Sequence, residues 1–201
     1  MKLFYSPASP YVRKVLVVAR EVGLEDRIER LPAAAGPVKR DDTIRPHNPI
    51  GQVPTFLTDD GTAIYDSRVI CEYLDAEGRG AMFGSGAERW RNLTNAALGD
   101  GLLGAALLAR YEAVLRPADL RWEDWTRGQM AKIADAADRI EALAPGLDDR
   151  VDIGTITFGC ALGYLDFRFP DLPWREGRPA ASAWFERLGE RPSMAATVPT
   201  G

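Results

Sequence analysis

The chain is short of histidine and cysteine. Its 201 residues include one histidine, His47, and two cysteines, Cys71 and Cys160. Metal sites usually combine several such side chains at close spacing, so this composition argues against a metal cofactor. The same scarcity disfavours a Ser-His-Asp relay and a disulfide framework. We expect both cysteines to be buried and reduced, because each lies in an apolar stretch with a helical pattern.

Long apolar runs and an excess of positive charge are also missing. No stretch is apolar for long enough to cross a bilayer, and MKLFY at the start is too short for the apolar part of a signal peptide. The net charge is −4, with lysine and arginine scattered along the chain. The sequence therefore predicts a cytoplasmic protein that binds neither membranes nor nucleic acid.

The first third of the chain combines strand and helix patterns. KLFY and residues 28–31 are short strand candidates, and residues 10–22 repeat apolar side chains at helical spacing. PTFLTDDGTAIY, which begins at Pro54, is typical of two short strands joined by a turn. A second helix is predicted after this hairpin, with Asp66 or Ser67 as its N-cap.

The rest of the chain has only helical patterns. A glycine-rich linker at residues 79–86 precedes them. Helices are predicted over residues 87–115, 122–144, 153–167 and 179–189. The second of these carries one apolar stripe, formed by Trp122, Trp125, Ile133, Ile140 and Leu143. The sequence thus predicts a mixed α/β domain over residues 1–78 and an all-helical domain over residues 87–201.

Three glycines interrupt the pattern of the first long helix. Gly99, Gly101 and Gly104 each cost about 1 kcal/mol relative to alanine inside a helix. We expect a close contact to explain them, either at a subunit interface or where a ligand needs room.

The start of the helix at residues 153–167 has a candidate cap. Asp152 can accept a hydrogen bond from the backbone N–H of Thr155. The threonine side chain is short for the reciprocal bond that a capping box requires, so we expect a weak cap.

The stretch YSPASPYVRK, from Tyr5 onward, places a serine directly before a proline. Pro10 suits the first position of a helix and drives Ser9 toward the extended backbone of an N-cap. The Ser9 hydroxyl would then lie at the positive end of the helix dipole, where an anion is stabilised, and Arg13 and Lys14 add positive charge. The residues alone leave two interpretations open, a simple capping serine and an anion site.

The segment HNPIGQVPTF contains a second unusual proline. Pro54 opens an apolar run that looks like a strand, where proline is confined to edges, first positions and special turns. A cis Val53-Pro54 bond is therefore a reasonable hypothesis.

Taken in order, these segments resemble the cytosolic glutathione transferases over nearly the whole chain. YSPASPYVRKV is similar to the strand-to-helix turn of serine-type or cysteine-type members, and NPIGQVPTF is similar to their NPxGxVP segment. IYDSRVICEYL resembles the helix that follows, while GCALGYLDFRFPDLPW and RPSMAATVP resemble bacterial members. The resemblance implies the glutathione transferase fold, a thioredoxin-like N-terminal domain that binds glutathione and a helical C-terminal domain that supplies an electrophile pocket. It also implies a homodimer.

The resemblance further implies which residues bind glutathione. It assigns the backbone of Val53, beside a cis Pro54, to the cysteinyl part, and Asp66 and Ser67 to the γ-glutamyl end. Gln52 would lie beside the glycyl end. Asp66 departs from the family pattern, since it is one methylene shorter than the usual Glu or Gln.

The thiol donor follows from the same resemblance. In serine-type members the serine before the proline lies against the glutathione sulfur, and that residue is Ser9 here. A hydroxyl donor at a helix N-terminus favours the thiolate of a thiol whose ordinary pKa is about 8.5. Tyr5 occupies the position of the catalytic phenol in tyrosine-type members and is the rival donor, with Ser6 a weaker third.

The resemblance carries over less specifically to the helical domain. Asp100 matches an Asp-Gly pair that reaches the glutathione of the partner subunit, although a solvated or salt-bridged aspartate fits equally well. Tyr11, Leu107 and Tyr111 are candidates for the electrophile pocket, but aromatic residues at helical spacing are also typical of a core.

The implied function is attachment of the glutathione thiolate to a small apolar electrophile. Two alternatives stay open: a glutathione-dependent peroxidase or isomerase, and a non-catalytic binding or regulatory protein with the same fold. The presence of Ser9, Pro54, Asp66 and Ser67 together favours the enzyme.

Overall fold

The structure is a computed structural model that describes residues 1–201 and divides into two compact units. The first unit contains Met1–Gly84 together with Pro192–Gly201, and the second is Ser85–Arg191. The sequence placed the end of the chain in the helical domain, whereas the structure groups it with the first unit.

A four-stranded sheet lies at the centre of the first unit, in the order β2-β1-β3-β4. Its strands are β1 Lys2–Tyr5, β2 Glu29–Pro32, β3 Thr55–Leu57 and β4 Ala63–Ile64. β2 runs parallel to β1 and β3 runs antiparallel to it, so Leu3 lies between Arg30 and Phe56. β3 and β4 form the predicted hairpin, whose turn is closed by the Asp60 carboxylate as it accepts from the Thr62 N–H (3.0 Å).

Two helices of the first unit pack against each other, α1 Pro10–Glu21 and α2 Ser67–Glu77. The buried face of α1 includes Val12, Val15 and Leu16, and that of α2 includes Ile70 and Leu74. These positions follow the spacing of three and four that places side chains on one helical face. The periodicity of the sequence therefore predicted both helices correctly.

Four helices form the second unit: α3 Gly86–Val114, α4 Glu123–Leu143, α5 Ile153–Arg168 and α6 Pro179–Gly189. α5 is the central one, with every residue from Ile153 to Leu165 buried, as expected for a helix that is apolar on all sides. Both cysteines, Cys71 on α2 and Cys160 on α5, are buried as predicted. None of the helices combines the length and the apolar character needed to span a membrane.

A last short helix, α7 Pro192–Ala195, packs against α1. The buried Arg13 donates from Nη2 to the Met194 carbonyl oxygen (3.2 Å), and the Ser193 hydroxyl donates to the Glu21 carboxylate. These contacts explain why residues 192–201 group with the first unit. Arg13 thus binds the C-terminal segment, whereas the sequence suggested that it adds charge to an anion site.

Close packing between α3 and α5 explains one of the three glycines at which a close contact was predicted. A Cβ atom on Gly99 would lie only 2.7 Å from Thr157 Cγ2, so a side chain there would overlap α5. At Gly101 and Gly104 a Cβ atom would meet no atom within 4 Å. Packing inside the second unit therefore accounts for Gly99 alone, a third explanation beside the two that the sequence suggested.

The expectation of a weak cap on α5 is wrong. Asp152 Oδ1 accepts from the Thr155 N–H (2.9 Å), and Thr155 Oγ1 accepts from the Asp152 N–H (2.9 Å). The capping box is complete, because the first turn of the helix brings the threonine hydroxyl within reach of the cap residue despite its short side chain.

The predicted apolar stripe on α4 is only partly correct. Ile133 and Ile140 are buried, but Trp122 and Trp125 are 62% and 38% exposed and stack on each other with ring centroids 6.5 Å apart. Trp122 precedes the first residue of α4, so the helical spacing assumed from the sequence does not apply to it. The buried face of the helix begins at Gln129.

Candidate functional site

The start of α1 has the geometry predicted for an N-cap. Ser9 adopts φ −83° and ψ 119°, Pro10 is the first helical residue, and Ser9 Oγ accepts from the Val12 N–H (3.3 Å). A hydroxyl that accepts one hydrogen bond can still donate its own proton. No acceptor for that proton lies within the chain, so Ser9 has a donor available at a helix N-terminus.

The two rival hydroxyls lie in the same stretch of chain. Tyr5 ends β1 and is half-buried, with the guanidinium carbon of Arg30 5.4 Å from its ring centroid. Ser6 follows directly, and its carbonyl oxygen accepts from the Ser9 N–H (3.1 Å). The three candidate donors therefore lie within five residues, from the end of β1 to the N-cap of α1.

The loop before β3 is held by two buried polar residues that the sequence analysis missed. Asn48 Nδ2 donates to Thr55 Oγ1 (2.8 Å), which in turn donates to the Gln52 carbonyl oxygen (2.7 Å). The Val53-Pro54 bond in this loop is cis, as hypothesised. A polar residue at each end of the proline-containing segment was the available signal, since buried polar groups are normally hydrogen-bonded.

The start of α2 brings together the two residues predicted for the γ-glutamyl end. Asp66 is the N-cap and accepts from the Arg68 N–H (2.9 Å), and its carboxylate also pairs with the Arg68 guanidinium (2.8 Å). Ser67 is the first helical residue and is buried, yet its hydroxyl has no hydrogen-bond partner in the chain. This helix start therefore offers an acceptor and a donor side by side.

Positive charge surrounds the Asp66 carboxylate. The hydrogen bond from the Arg68 side chain holds the pKa of Asp66 below its ordinary value, and the charge of Lys14 acts in the same direction. Lys14 is fully buried on α1, with its Nζ 5.9 Å from the Tyr11 ring centroid. Asp66 is thus a carboxylate at neutral pH, as binding of an ammonium group requires.

The remaining predicted residues are divided between the two units. Tyr11 lies half-buried on α1 in the first unit, while Asp100, Leu107 and Tyr111 lie on α3 in the second. Leu107 and Tyr111 are four residues apart and share one face of α3. Burial raises the pKa of Tyr111, so its hydroxyl stays protonated near neutral pH.

Neither unit provides a site for a metal ion. No group of three or more His, Cys, Asp and Glu side chains is arranged to hold one. His47 is exposed in the loop before β3, with its ring centroid 5.5 Å from that of Phe4.

Comparison with known protein families matches both units. Residues 8–77 match the family described as glutathione S-transferase, N-terminal domain, and residues 123–187 match glutathione S-transferase, C-terminal domain. Among curated relatives, the uncharacterized GST-like protein YibF of Escherichia coli (strain K12) is 35% identical over 205 residues, which cover 99% of this chain and 98% of YibF.

Solved structures give a similar result. A glutathione transferase family member from Pseudomonas fluorescens Pf-5 with bound glutathione is 44% identical, covers 100% of this chain and 99% of its own, and superimposes with a TM-score of 0.96. A second structure of a family member from Pseudomonas fluorescens Pf-5 contains bound S-(propanoic acid)-glutathione. It is 44% identical, covers 100% of both chains and has a TM-score of 0.91.

Proposed function

Because the chain belongs to the glutathione S-transferase family, we propose that it binds glutathione and activates its thiol for attack on a small electrophile with an apolar body. The observation that carries the proposal is the start of α2, where the carboxylate of Asp66 and the unpartnered hydroxyl of Ser67 lie next to each other. The first unit supplies the residues that bind glutathione, and the second unit supplies residues for the electrophile.

The γ-glutamyl end of glutathione carries an ammonium group and a carboxylate. Asp66 accepts from the ammonium group, sharing its carboxylate with Arg68. The ligand carboxylate accepts hydrogen bonds from the hydroxyl and the backbone N–H of Ser67. It lies at the positive end of the α2 dipole, as anions commonly do at helix N-termini. Charge-assisted hydrogen bonds of this kind are roughly twice as strong as neutral ones.

The cysteinyl part binds along the loop that contains the cis proline. Val53 precedes β3 and lies outside its hydrogen-bonded ladder, so its backbone is available to a peptide ligand. Asn48 and Thr55 fix the shape of this loop from its buried side. Gln52, which is exposed, lies beside the glycyl end.

The sulfur of glutathione then lies against the start of α1. Ser9 donates its hydroxyl proton to the sulfur while continuing to accept from the Val12 N–H. A thiolate is stabilised by this donor and by the helix dipole, which lowers the pKa of the bound thiol. Ser9 therefore acts as a hydrogen-bond donor and forms no covalent bond, and Tyr5 is the alternative donor.

Ligands bound in two related structures support this chemistry. The Pseudomonas structure with a TM-score of 0.96 contains bound glutathione. The S-(propanoic acid)-glutathione bound in the second structure is a thioether, the type of compound that attack by the thiolate on an electrophile would produce.

We also propose that the protein forms a homodimer through α2 and α3. Each of these helices carries an exposed apolar side chain, Val69 on α2 and Trp90 on α3, the latter 68% exposed. In such a dimer Asp100 contacts the glutathione of the partner subunit. Light scattering at micromolar concentration tests this arrangement, and a monomer would contradict both the dimer and the role of Asp100.

The experiment that tests the function has two parts. Calorimetry measures glutathione binding, and a panel of electrophiles and organic hydroperoxides is followed by loss of thiol. We expect binding together with conjugation of 1-chloro-2,4-dinitrobenzene. Turnover of hydroperoxides alone would indicate a peroxidase, and binding without turnover would indicate a non-catalytic protein. Absence of glutathione binding would contradict the proposal as a whole.

A further inference from the structure

Two half-buried arginines of the second unit, Arg110 on α3 and Arg168 on α5, make no hydrogen bond or ion pair within the chain. Given the proposed function, we propose that these two guanidinium groups bind a carboxylate carried by the electrophile. The preferred substrate is then an anionic electrophile, an apolar body with a carboxylate, and Arg110 and Arg168 determine this specificity.

The fold places the two arginines in one cluster with two tyrosines. Arg110 is adjacent to Tyr111 on α3, and Tyr164 lies one turn before Arg168 on α5. α3 and α5 pack closely along their length. Gly99 lies against Thr157 and Gly154 lies against Asn95, so the two helices run in the same direction. Arg110 and Arg168 each follow the first contacting pair by 11 positions, about three helical turns, which places them beside each other. In agreement with this placement, the charge of Arg110 acts on the pKa of Tyr111, Tyr164 and Arg168. We call these four residues the cation cluster.

Half-burial without any hydrogen bond or ion pair sets Arg110 and Arg168 apart from the other arginines of the second unit. Arg116, Arg127, Arg175 and Arg178 each pair with a carboxylate. No Asp or Glu side chain pairs with Arg110 or Arg168, although both are half-buried.

Burial and like charge make this arrangement unfavourable without an anion. Burial and then the neighbouring charge of Arg110 lower the pKa of Arg168 from its ordinary value. Two cations that disfavour each other are stabilised when a carboxylate lies between them. The guanidinium carbon of Arg168 lies 3.8 Å from the Phe167 ring centroid, so the aromatic ring covers one face of the guanidinium group.

The two tyrosine hydroxyls add neutral donors to the cation cluster. Tyr164 is only 3% exposed, and its burial raises its pKa to about 12, so the phenol keeps its proton. Neither Tyr111 nor Tyr164 makes a hydrogen bond within the chain. Guanidinium forks bind a planar carboxylate through two parallel hydrogen bonds, and a phenol can donate to a remaining lone pair. Four donor side chains without an acceptor thus fit a carboxylate.

The cation cluster binds and orients the substrate without taking part in bond changes. With 4-chloro-3-nitrobenzoate, the glutathione sulfur attacks the ring carbon that bears chlorine. A carbon–sulfur bond forms, the carbon–chlorine bond breaks, and chloride leaves with the bonding electrons. The thiol proton goes to water. The arginines hold the carboxylate throughout, and the half-buried Leu107, one turn before Tyr111, can contact the ring.

The test compares 4-chloro-3-nitrobenzoate with its neutral methyl ester, which has the same leaving group. The enzyme is assayed as wild type, as Arg110→Met and as Arg168→Met. Arg139→Met is the matched control, because Arg139 is an exposed arginine on α4 in the same unit. We expect the ratio of kcat/KM for the acid to that for the ester to fall about tenfold to hundredfold in either cluster variant. The control keeps the wild-type ratio, and KM for glutathione stays constant.

A binding measurement separates this inference from the proposed function. Calorimetry with 3-nitrobenzoate, which has no leaving group, should show binding to the wild type and to Arg139→Met, and weaker binding to Arg110→Met and Arg168→Met. If neither chlorinated substrate reacts but this pattern holds, the proposed function fails and the anion site stands. If the ester reacts and the ratio and the binding are unchanged in both cluster variants, the anion site is wrong. Thermal unfolding checks that each variant folds, and Arg168→Lys is used where a methionine variant does not. Because lysine keeps the charge but lacks the planar guanidinium, Arg168→Lys should weaken 3-nitrobenzoate binding, but less than a variant without the charge.

Discussion

The two units differ in how their polar groups are satisfied. In the first unit, two polar groups of the candidate site have partners nearby in sequence: Ser9 accepts from Val12, and Asp66 pairs with Arg68. The Ser67 hydroxyl beside them has none. In the second unit, Arg110 and Arg168 come from helices far apart in sequence and lack counter-ions. A helix start can preform a binding site from neighbouring residues, whereas the proposed anion site depends on how α3 and α5 pack.

The largest effect is expected from removing the acid at the start of α2. Asp66→Ala should weaken glutathione binding about tenfold to hundredfold, because a charge-assisted hydrogen bond to the ligand ammonium group is lost. Calorimetry measures this, with Asp42→Ala as the control, since Asp42 is another exposed acid of the first unit. Binding of 3-nitrobenzoate to the second unit should not change. If Asp66→Ala binds glutathione with unaltered affinity, the proposed contact between the Asp66 carboxylate and the ligand is wrong.

A smaller effect is expected where α3 meets α5. Gly99→Ala should lower the free energy of unfolding by about 1–3 kcal/mol, because the new methyl group would overlap Thr157. Gly104→Ala is the matched control and should stabilise the unit by up to about 1 kcal/mol, since no atom lies near its added Cβ. Urea denaturation measures both variants. Equal effects of the two substitutions would refute the packing explanation of Gly99.

The smallest effect on stability is expected from Glu112. Its carboxylate has hydrogen-bond partners within the chain, unlike the arginines of the cation cluster. It accepts from the Trp122 N–H (2.8 Å) and from Arg116 Nε (2.7 Å), and these bonds, the first more strongly, hold its pKa below the ordinary 4.5. A lowered folded-state pKa stabilises the protein above the ordinary value, and this stabilisation is lost as the pH falls through the folded-state pKa.

Thermal unfolding of Glu112→Gln against wild type tests this dependence. The wild type should be the more stable at about pH 7, and the difference should shrink as the pH falls below the ordinary 4.5 and through the lower folded-state pKa. A difference that does not change over this pH range would mean that the charge of Glu112 does not stabilise the fold.

Much of the first unit could be predicted because its signals are local. Proline after serine predicts the cap at Ser9, and the hairpin turn and the cap at Asp66 follow from residues only a few positions apart. The network of Asn48 and Thr55 was not predicted, because a hydrogen bond between two side chains on either side of a loop leaves no periodic pattern.

The second unit was predictable in its helices but less so in its contacts. Helical spacing predicted α3 to α6 within a residue or two, yet Trp122 and Trp125 are exposed and Thr155 completes a capping box. The relation of Arg110 to Arg168 depends on how two helices pack, which no short segment encodes. Aromatic spacing pointed to Tyr111, but only the folded chain shows that neither arginine pairs with an acidic side chain.

The pKa of the glutathione thiol bound to the protein tests the central claim most directly. Ultraviolet absorbance of the thiolate is titrated against pH for the wild type, Ser9→Ala and Tyr5→Phe, each saturated with glutathione. If Ser9 donates to the sulfur, Ser9→Ala should raise the thiol pKa by about one to two units and Tyr5→Phe should leave it unchanged. A raised pKa in Tyr5→Phe together with an unchanged pKa in Ser9→Ala would contradict the account and leave Ser9 as a helix cap only.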